Sequence, residues 1–163
     1  MTKSGGESEA NYSPRVEAYV RLVRTAEHLH GLVSRGLIPY GLTASQYSTL
    51  KVLAQRGEMM QRDIAHYLLK TGGNITMVVD NLERMGLVER RKSLEDRRQT
   101  LVALTVAGRE LFDSVYPGHL SDIEDVLSGL TEEECVALTA LLGKVGMKSE
   151  VICSPVQTAT LAR

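Results

Sequence analysis

Leu87-Val88-Glu89-Arg90-Arg91-Lys92-Ser93-Leu94-Glu95-Asp96-Arg97-Arg98-Gln99-Thr100-Leu101-Val102-Ala103-Leu104-Thr105 is the stretch whose reading decides the fold. It reads as two short strands, Leu87 to Arg91 and Thr100 to Thr105, joined by a charged polar tip. The second strand alternates, with Leu101, Ala103 and Thr105 on one face and Thr100, Val102 and Leu104 on the other. Between Arg84 and Arg98 stand six Arg or Lys and three acids, although the whole chain has a formal net charge of −1. A near-neutral protein thus gathers positive charge on one protruding ribbon. Phosphate backbones favour that arrangement, because each neutralised phosphate releases condensed counterions. A charged hairpin alone would serve equally as a solvated loop, so its neighbours matter.

Immediately upstream lies a helix pair with a glycine-containing turn. Gln61 to Leu69 places Ile64, Ala65, Leu68 and Leu69 on one face. After Lys70-Thr71-Gly72-Gly73, a helix from Asn74 to Met85 sets Ile75, Val78, Val79, Leu82 and Met85 at i, i+3, i+4, i+7 and i+10. Gly86 follows, where a left-handed residue ends a helix at little cost. The polar face of this second helix carries Asn74, Thr76, Asp80, Asn81 and Arg84, with Met77 beside them. Short hydrogen-bonding side chains on the opening turns suit a helix that enters a major groove by its N-terminal end. Helix, turn, helix and charged hairpin in succession describe a winged helix-turn-helix. The plainer reading is two amphipathic helices packed on a small sheet with wet polar faces; the charged wing favours the DNA-binding one.

The chain resembles the MarR (multiple antibiotic resistance regulator) family of bacterial transcription factors. Four segments carry the resemblance: Leu42-Thr43-Ala44-Ser45-Gln46-Tyr47-Ser48-Thr49-Leu50, then Asn74-Ile75-Thr76-Met77-Val78-Val79-Asp80-Asn81-Leu82-Glu83, then Gly86-Leu87-Val88-Glu89-Arg90, and Asp96-Arg97-Arg98 running to Leu104-Thr105. Leu130-Thr131-Glu132-Glu133-Glu134 through Leu138 and Leu141-Leu142 looks like the family's last helix, so the similarity spans about residues 12 to 147. The resemblance implies that Arg98 enters a minor groove, that Asp96 holds it, and that Arg97 meets a phosphate. A guanidinium in a narrow groove reads its enhanced negative potential more than base identity.

The recognition helix departs from the commonest family pattern at Gly73, where Ser or Thr is usual, and at Met77, where Arg or another polar residue is usual. A glycine pair before Asn74 either lets the backbone approach a phosphate or only shapes the turn. Asn can pair with adenine and Met can touch a thymine methyl, which implies some A·T preference. The expected DNA-binding set is Thr71, Gly72, Gly73, Asn74, Thr76, Met77, Asn81, Arg84, Arg91, Lys92, Asp96, Arg97 and Arg98. The helix is also similar to that of members responding to hydroquinones. The resemblance further implies a small aromatic or phenolic effector bound between the dimer helices and the winged head, with Tyr12, Arg15, Tyr19, His28, Tyr40 and Tyr47 as candidate lining residues.

The expected architecture is mainly α with a small β-hairpin, a winged helix-turn-helix with N- and C-terminal dimerisation helices. Residues 1–13 form a frayed N-terminus, 14–41 a dimerisation helix, 42–105 the DNA-binding domain, 106–148 the C-terminal dimerisation helices and 149–163 a flexible tail. Pro14 opens the first helix, which runs to about Ile38. Thr43 with Gln46, and Thr131 with Glu134, make capping boxes for two others. Val106 to Ser128 is apolar-periodic but interrupted by Pro117-Gly118. These terminal helices hold more apolar surface than a winged helix of about 60 residues covers, which implies folding back onto it or pairing with a second copy; the resemblance implies a two-fold dimer.

Hydrophobic residues make up 43% of the 163, enough for a core, but aromatics only 4%, so that core is aliphatic. No apolar run approaches the ~20 residues of a membrane span, and no secretory signal is legible, so a cytoplasmic protein is expected. No Walker, His-Glu-x-x-His or Gly-x-Ser-x-Gly motif supports an enzyme. His28, His30, His66 and His119 are scattered, and Cys135 and Cys153 lack metal spacing, so neither metal nor cofactor is expected. Some relatives sense peroxide through a cysteine in the first helix, and this chain has none there. Two functions follow: a dimeric, ligand-responsive repressor on a palindromic operator, or a winged helix used for protein interaction without DNA binding. The Asp96-Arg97-Arg98 tip favours the first.

Overall fold

The computed structural model describes residues 12–146. The expectations for residues 1–11, for the tail from 149 and for Cys153 lie outside them. Six helices and three strands follow one another in the order α1 (Pro14–Arg35), α2 (Ala44–Arg56), β1 (Met59–Met60), α3 (Gln61–Tyr67), α4 (Gly72–Arg84), β2 (Val88–Lys92), β3 (Thr100–Leu104), α5 (Val106–Leu127) and α6 (Glu132–Gly146). A short 3-10 turn, Ile38–Tyr40, links α1 to α2.

The head is built from α2, α3, α4 and the sheet. Leu50 and Leu53 of α2, Ile64 of α3, Ile75, Val79 and Leu82 of α4, and Val88 and Val102 of the sheet meet in one fully buried cluster. Truncating such a residue, for instance Leu82→Ala, removes about 2–5 kcal/mol. The capping boxes form as expected: Thr43 N donates to Gln46 Oε1 at 2.8 Å, and Thr131 N to Glu134 Oε2 at 2.8 Å.

Helix ends explain where the expected boundaries shift. The Leu87 amide returns to the Leu82 carbonyl at 2.9 Å, with Gly86 left-handed at φ 73°. The same closure ends α3, where the Lys70 amide reaches the Ala65 carbonyl at 2.9 Å, but its left-handed residue is Leu69, at φ 52°. α3 therefore stops at Tyr67, and Leu69, assigned to the core face, is exposed. Met85, assigned to the stripe of α4, is also exposed as the capping residue. Thr71 accepts a hydrogen bond from the Asn74 amide, so α4 begins at Gly72 and the glycine pair lies inside its first turn.

The sheet has the order β1-β3-β2, entirely antiparallel, with Met59 opposite Val102 and Val88 opposite Leu104. The two-residue β1 carries no period that a sequence could show; only its pairing with β3 makes it a strand. Thr105 is a helix cap rather than a strand end, its hydroxyl donating to the Gly86 carbonyl and accepting from the Gly108 amide. α5 runs unbroken through Pro117. An interior proline costs about 3 kcal/mol, and the burial of Phe112 and Val115 on the preceding turns offsets it.

The long helices differ from the head. α1 has no buried residue, and Val136, Leu141 and Val145 of α6 are exposed. Gly36, at the end of α1, lies so close to α5 that a Cβ would fall 1.9 Å from Asp122 Oδ2. No described helix is long and apolar enough to cross a membrane.

Candidate nucleic-acid interface

α4 presents its first turn to solvent. Gly72, Gly73 and Asn74 are exposed, and the amides of Gly72 and Gly73 are among those a helix start leaves without an internal acceptor. Neither glycine has positive φ, and a Cβ at either position meets nothing within 4 Å. The turn itself therefore does not require them, by backbone angle or by crowding. Met77 is 61% exposed one turn further on. Thr76 is occupied internally: its hydroxyl donates to the Gly72 carbonyl at 2.9 Å and accepts from Gln61 Nε2 at 2.5 Å. Arg84 donates to the side-chain Oδ1 of Asn81, so these two side chains act as a pair.

The wing divides into a stem and a tip. At the tip the Ser93 hydroxyl, almost buried, accepts from the Glu95 and Asp96 amides, and the Gln99 amide returns to the Asp96 carbonyl at 2.8 Å. Asp96 Oδ1 accepts from both the backbone amide and Nε of Arg98, at 3.0 and 3.2 Å, and Oδ2 accepts from Gln99 Nε2. The Arg98 backbone and side-chain donors hold the Asp96 carboxyl below the usual carboxylate range. The Arg98 side chain is nevertheless 92% exposed, and among the described residues Asp96 alone holds it. Arg97 beside it is exposed.

In the stem most cations already have partners. Arg91 is bound to Glu58 on the loop before β1, and Lys92 Nζ donates to Thr100 Oγ1 at 3.1 Å. Arg90 meets Asp80 at 2.5 Å and also Glu83, both from α4, and Gln61 Oε1 at 3.2 Å. Desolvation works against its charge, but the hydrogen bonds and charges of Asp80 and Glu83 outweigh that and raise its pKa. The sequence reading missed Arg90, Gln61, Glu58 and Ser93. For Arg90 the signal existed: counting by two from buried Val88 puts Arg90 on the inner face of β2.

The expected effector residues are not brought together. Tyr12 is exposed just before α1, Arg15, Tyr19 and His28 are exposed along it, and Tyr40 is exposed on the 3-10 turn. Tyr47 is buried, its ring 6.0 Å from Phe112 and 4.2 Å from His119. Burial pushes the Tyr47 phenol up and the His119 imidazole down. Tyr12 does line a surface groove with Val20, Arg21 and Arg24. A separate cleft opens where α1, α2 and the α3–α4 turn meet, lined by His30, Ser45, Ser48, Leu68, Lys70 and Ile75.

Residues 42–100 match the model of the MarR family. The helix-turn-helix transcriptional regulator YkoM of Bacillus subtilis is 35% identical over 111 residues, covering 68% of this chain and 72% of its own. A cysteine-to-serine variant of MarR from E. coli, solved with operator DNA, superposes with a TM-score of 0.74 at 26% identity, covering 80% of this chain and 95% of its own. CouR of Rhodococcus jostii, solved with p-coumaroyl-CoA, superposes with a TM-score of 0.73 at 26% identity, covering 85% and 96%. An open helix start beside a wing whose tip presents a held arginine, matched over this length, places the chain in the MarR family of winged-helix transcriptional regulators.

Proposed function

We propose that a two-fold dimer of this chain represses transcription by binding a palindromic operator, and that a small aromatic or phenolic ligand releases it. The observation that carries the reading is Arg98, extended from the wing tip and fixed through both its amide and its Nε by Asp96. A guanidinium held in one pose before binding loses little freedom on entering a minor groove. Gly72, Gly73 and Asn74 would meet a phosphate and the first base edges, and Met77 a thymine methyl. Arg84 with Asn81, Arg97, Arg91 and Lys92 would line the backbone, while Thr71 and Thr76 support the helix that does the reading.

The uncovered apolar residues of α1 and α6, among them Val16, Leu22, Leu141 and Val145, support a second copy as their partner. Two heads related by a dyad would reach half-sites about one turn, ~34 Å, apart. Support for a ligand comes from the cleft at the joint of α1 with the head, where His30 and Lys70 face Leu68 and Ile75. A ligand that favours the DNA-incompetent spacing of the heads would release the operator. The protein would act as a binding protein rather than an enzyme, in the cytoplasm where the duplex lies.

Selecting bound duplexes from a random pool, with a salt titration of the winner and Arg98→Ala in parallel, tests this. A palindromic site, a steep negative slope of log affinity against log salt and a clear loss in the variant are expected. No enrichment by the wild type would overturn it.

A further inference from the structure

Arg90 belongs to the basic ribbon by sequence but not by position, and we propose that it is a positioning residue. It fixes the wing to the recognition helix and cancels that helix's two acids, without touching DNA itself. This rests on the DNA-binding reading above. Arg90 shares the inner face of β2 with Val88, which is buried against the head, and its side chain is 26% exposed. One guanidinium meets Asp80 Oδ1 at 2.5 Å and Glu83 from α4, and Gln61 Oε1 at 3.2 Å from α3. The Arg90 backbone amide adds a bond to Glu83 Oε1 at 3.2 Å. Gln61 then donates to Thr76 Oγ1 at 2.5 Å, closing the link back to α4. A planar cation with five donors thereby ties β2, α3 and α4 together.

Two consequences follow for DNA. Asp80 and Glu83 stand on the helix that enters the groove, where free carboxylates would repel phosphates; paired with Arg90 they do not. The ladder from Arg90 to Lys92 and back through Thr100 also carries the tip, so pinning its near end sets where Arg98 sits relative to α4. Lysine cannot do the same work, because a point charge cannot grip two carboxylates and an amide in one plane.

The test uses the duplex that the wild type selects from a random pool. It is titrated with Arg90→Gln, Arg90→Lys, Arg98→Ala and the pair Arg90→Gln with Arg98→Ala, alongside hydrogen exchange of the free proteins. Arg90→Gln is expected to melt cooperatively and to bind at least about tenfold more weakly. With Asp80→Asn and Glu83→Gln added, which removes the carboxylates that the loss of Arg90 would free, the slope of log affinity against log salt should match the wild type, since no phosphate contact is lost. Arg98→Ala should cost less on the Arg90→Gln background than alone, and amides of residues 93–99 should exchange faster relative to those of α2. Arg90→Lys should fall between. A slope shallower by about 0.9 in that variant without the two acids would make Arg90 a phosphate contact and overturn the proposal; so would unchanged affinity and exchange in Arg90→Gln, or additive losses in the pair. If the wild type selects no duplex, the DNA reading fails by itself, and the exchange comparison still decides whether the clamp exists. If Arg90→Gln does not fold, Arg90→Lys combined with Asp80→Asn carries the same comparison.

Discussion

Arg90 and Arg98 carry the same charge on the same hairpin, yet the stem of the wing and its tip treat them in opposite ways. Arg90 is three-quarters covered and gripped by two carboxylates from another element; Arg98 is almost wholly exposed and, among the described residues, held only by Asp96, two residues away. The stem joins secondary elements, so its polar groups are satisfied across the fold. The tip is a local turn, whose Ser93, Asp96 and Gln99 satisfy one another within seven residues and leave the cation outside. A count of basic residues along the ribbon therefore overstates the charge that DNA would meet, and position within the hairpin corrects it.

The largest effect comes from breaking the root of the stem. A Cβ on Gly108 would fall 1.9 Å from the Leu87 carbonyl oxygen, backbone that cannot swing aside. Gly108→Val should cost about 3 kcal/mol in denaturant unfolding and displace the wing from α5. Wild-type stability in that variant would show the joint to be soft and the stem less fixed than its contacts indicate. Next comes the tip. Arg98→Ala should leave the melting temperature unchanged, because the side chain touches little, while operator affinity falls by about 1–3 kcal/mol. An equal loss of stability and affinity would erase the distinction between the two arginines.

Smaller effects sharpen it. Gly73→Ala meets no steric obstacle and lies in helical backbone, so it should stabilise the free protein by about 0.5 kcal/mol. The same change should weaken operator binding, measured by titration, because in the proposed complex the methyl would stand between the helix start and a phosphate. The smallest concerns pH at the tip. The Asp96 pKa is depressed in the folded chain by the Arg98 amide and side chain and by Gln99, so its grip is complete above the ordinary aspartate value of about 3.9. It is lost as pH falls through the lower folded value. The Arg98 amide should stay protected from neutral pH down to about 4 in exchange measurements; loss of protection near pH 6 would mean that another group holds the tip.

Much of this molecule was legible because the signals were local. The stripe Ile75, Val78, Val79 and Leu82, the two capping boxes and the left-handed Gly86 each depend on residues within a few positions of one another, while the Asp96–Arg98 pairing was what the family resemblance implied. What failed depended on partners far along the chain or on geometry without its usual residue. Leu69 occupies a left-handed closure that glycine normally marks, and β1 exists only by pairing with residues 101 and 102. Pro117 was expected to break a helix that core burial carries through. Of the six effector candidates Tyr47 is buried while the other five are exposed, and a cleft lies beside His30, Ser45 and Lys70; residue type alone does not show which side chains share a surface.

Sequence by itself determined the class of the fold and the order of its helices and of the two wing strands, because hydrophobic period, caps and short turns act over one or two helical turns. Only the tertiary structure decided which charges remain open. Whether Arg90, Arg91 or Arg98 is free depends on Asp80, Glu83, Glu58 and Asp96, and three of those four reach their arginine from outside the hairpin. Electrostatic pairing is a property of distance in space, and only folding sets that distance.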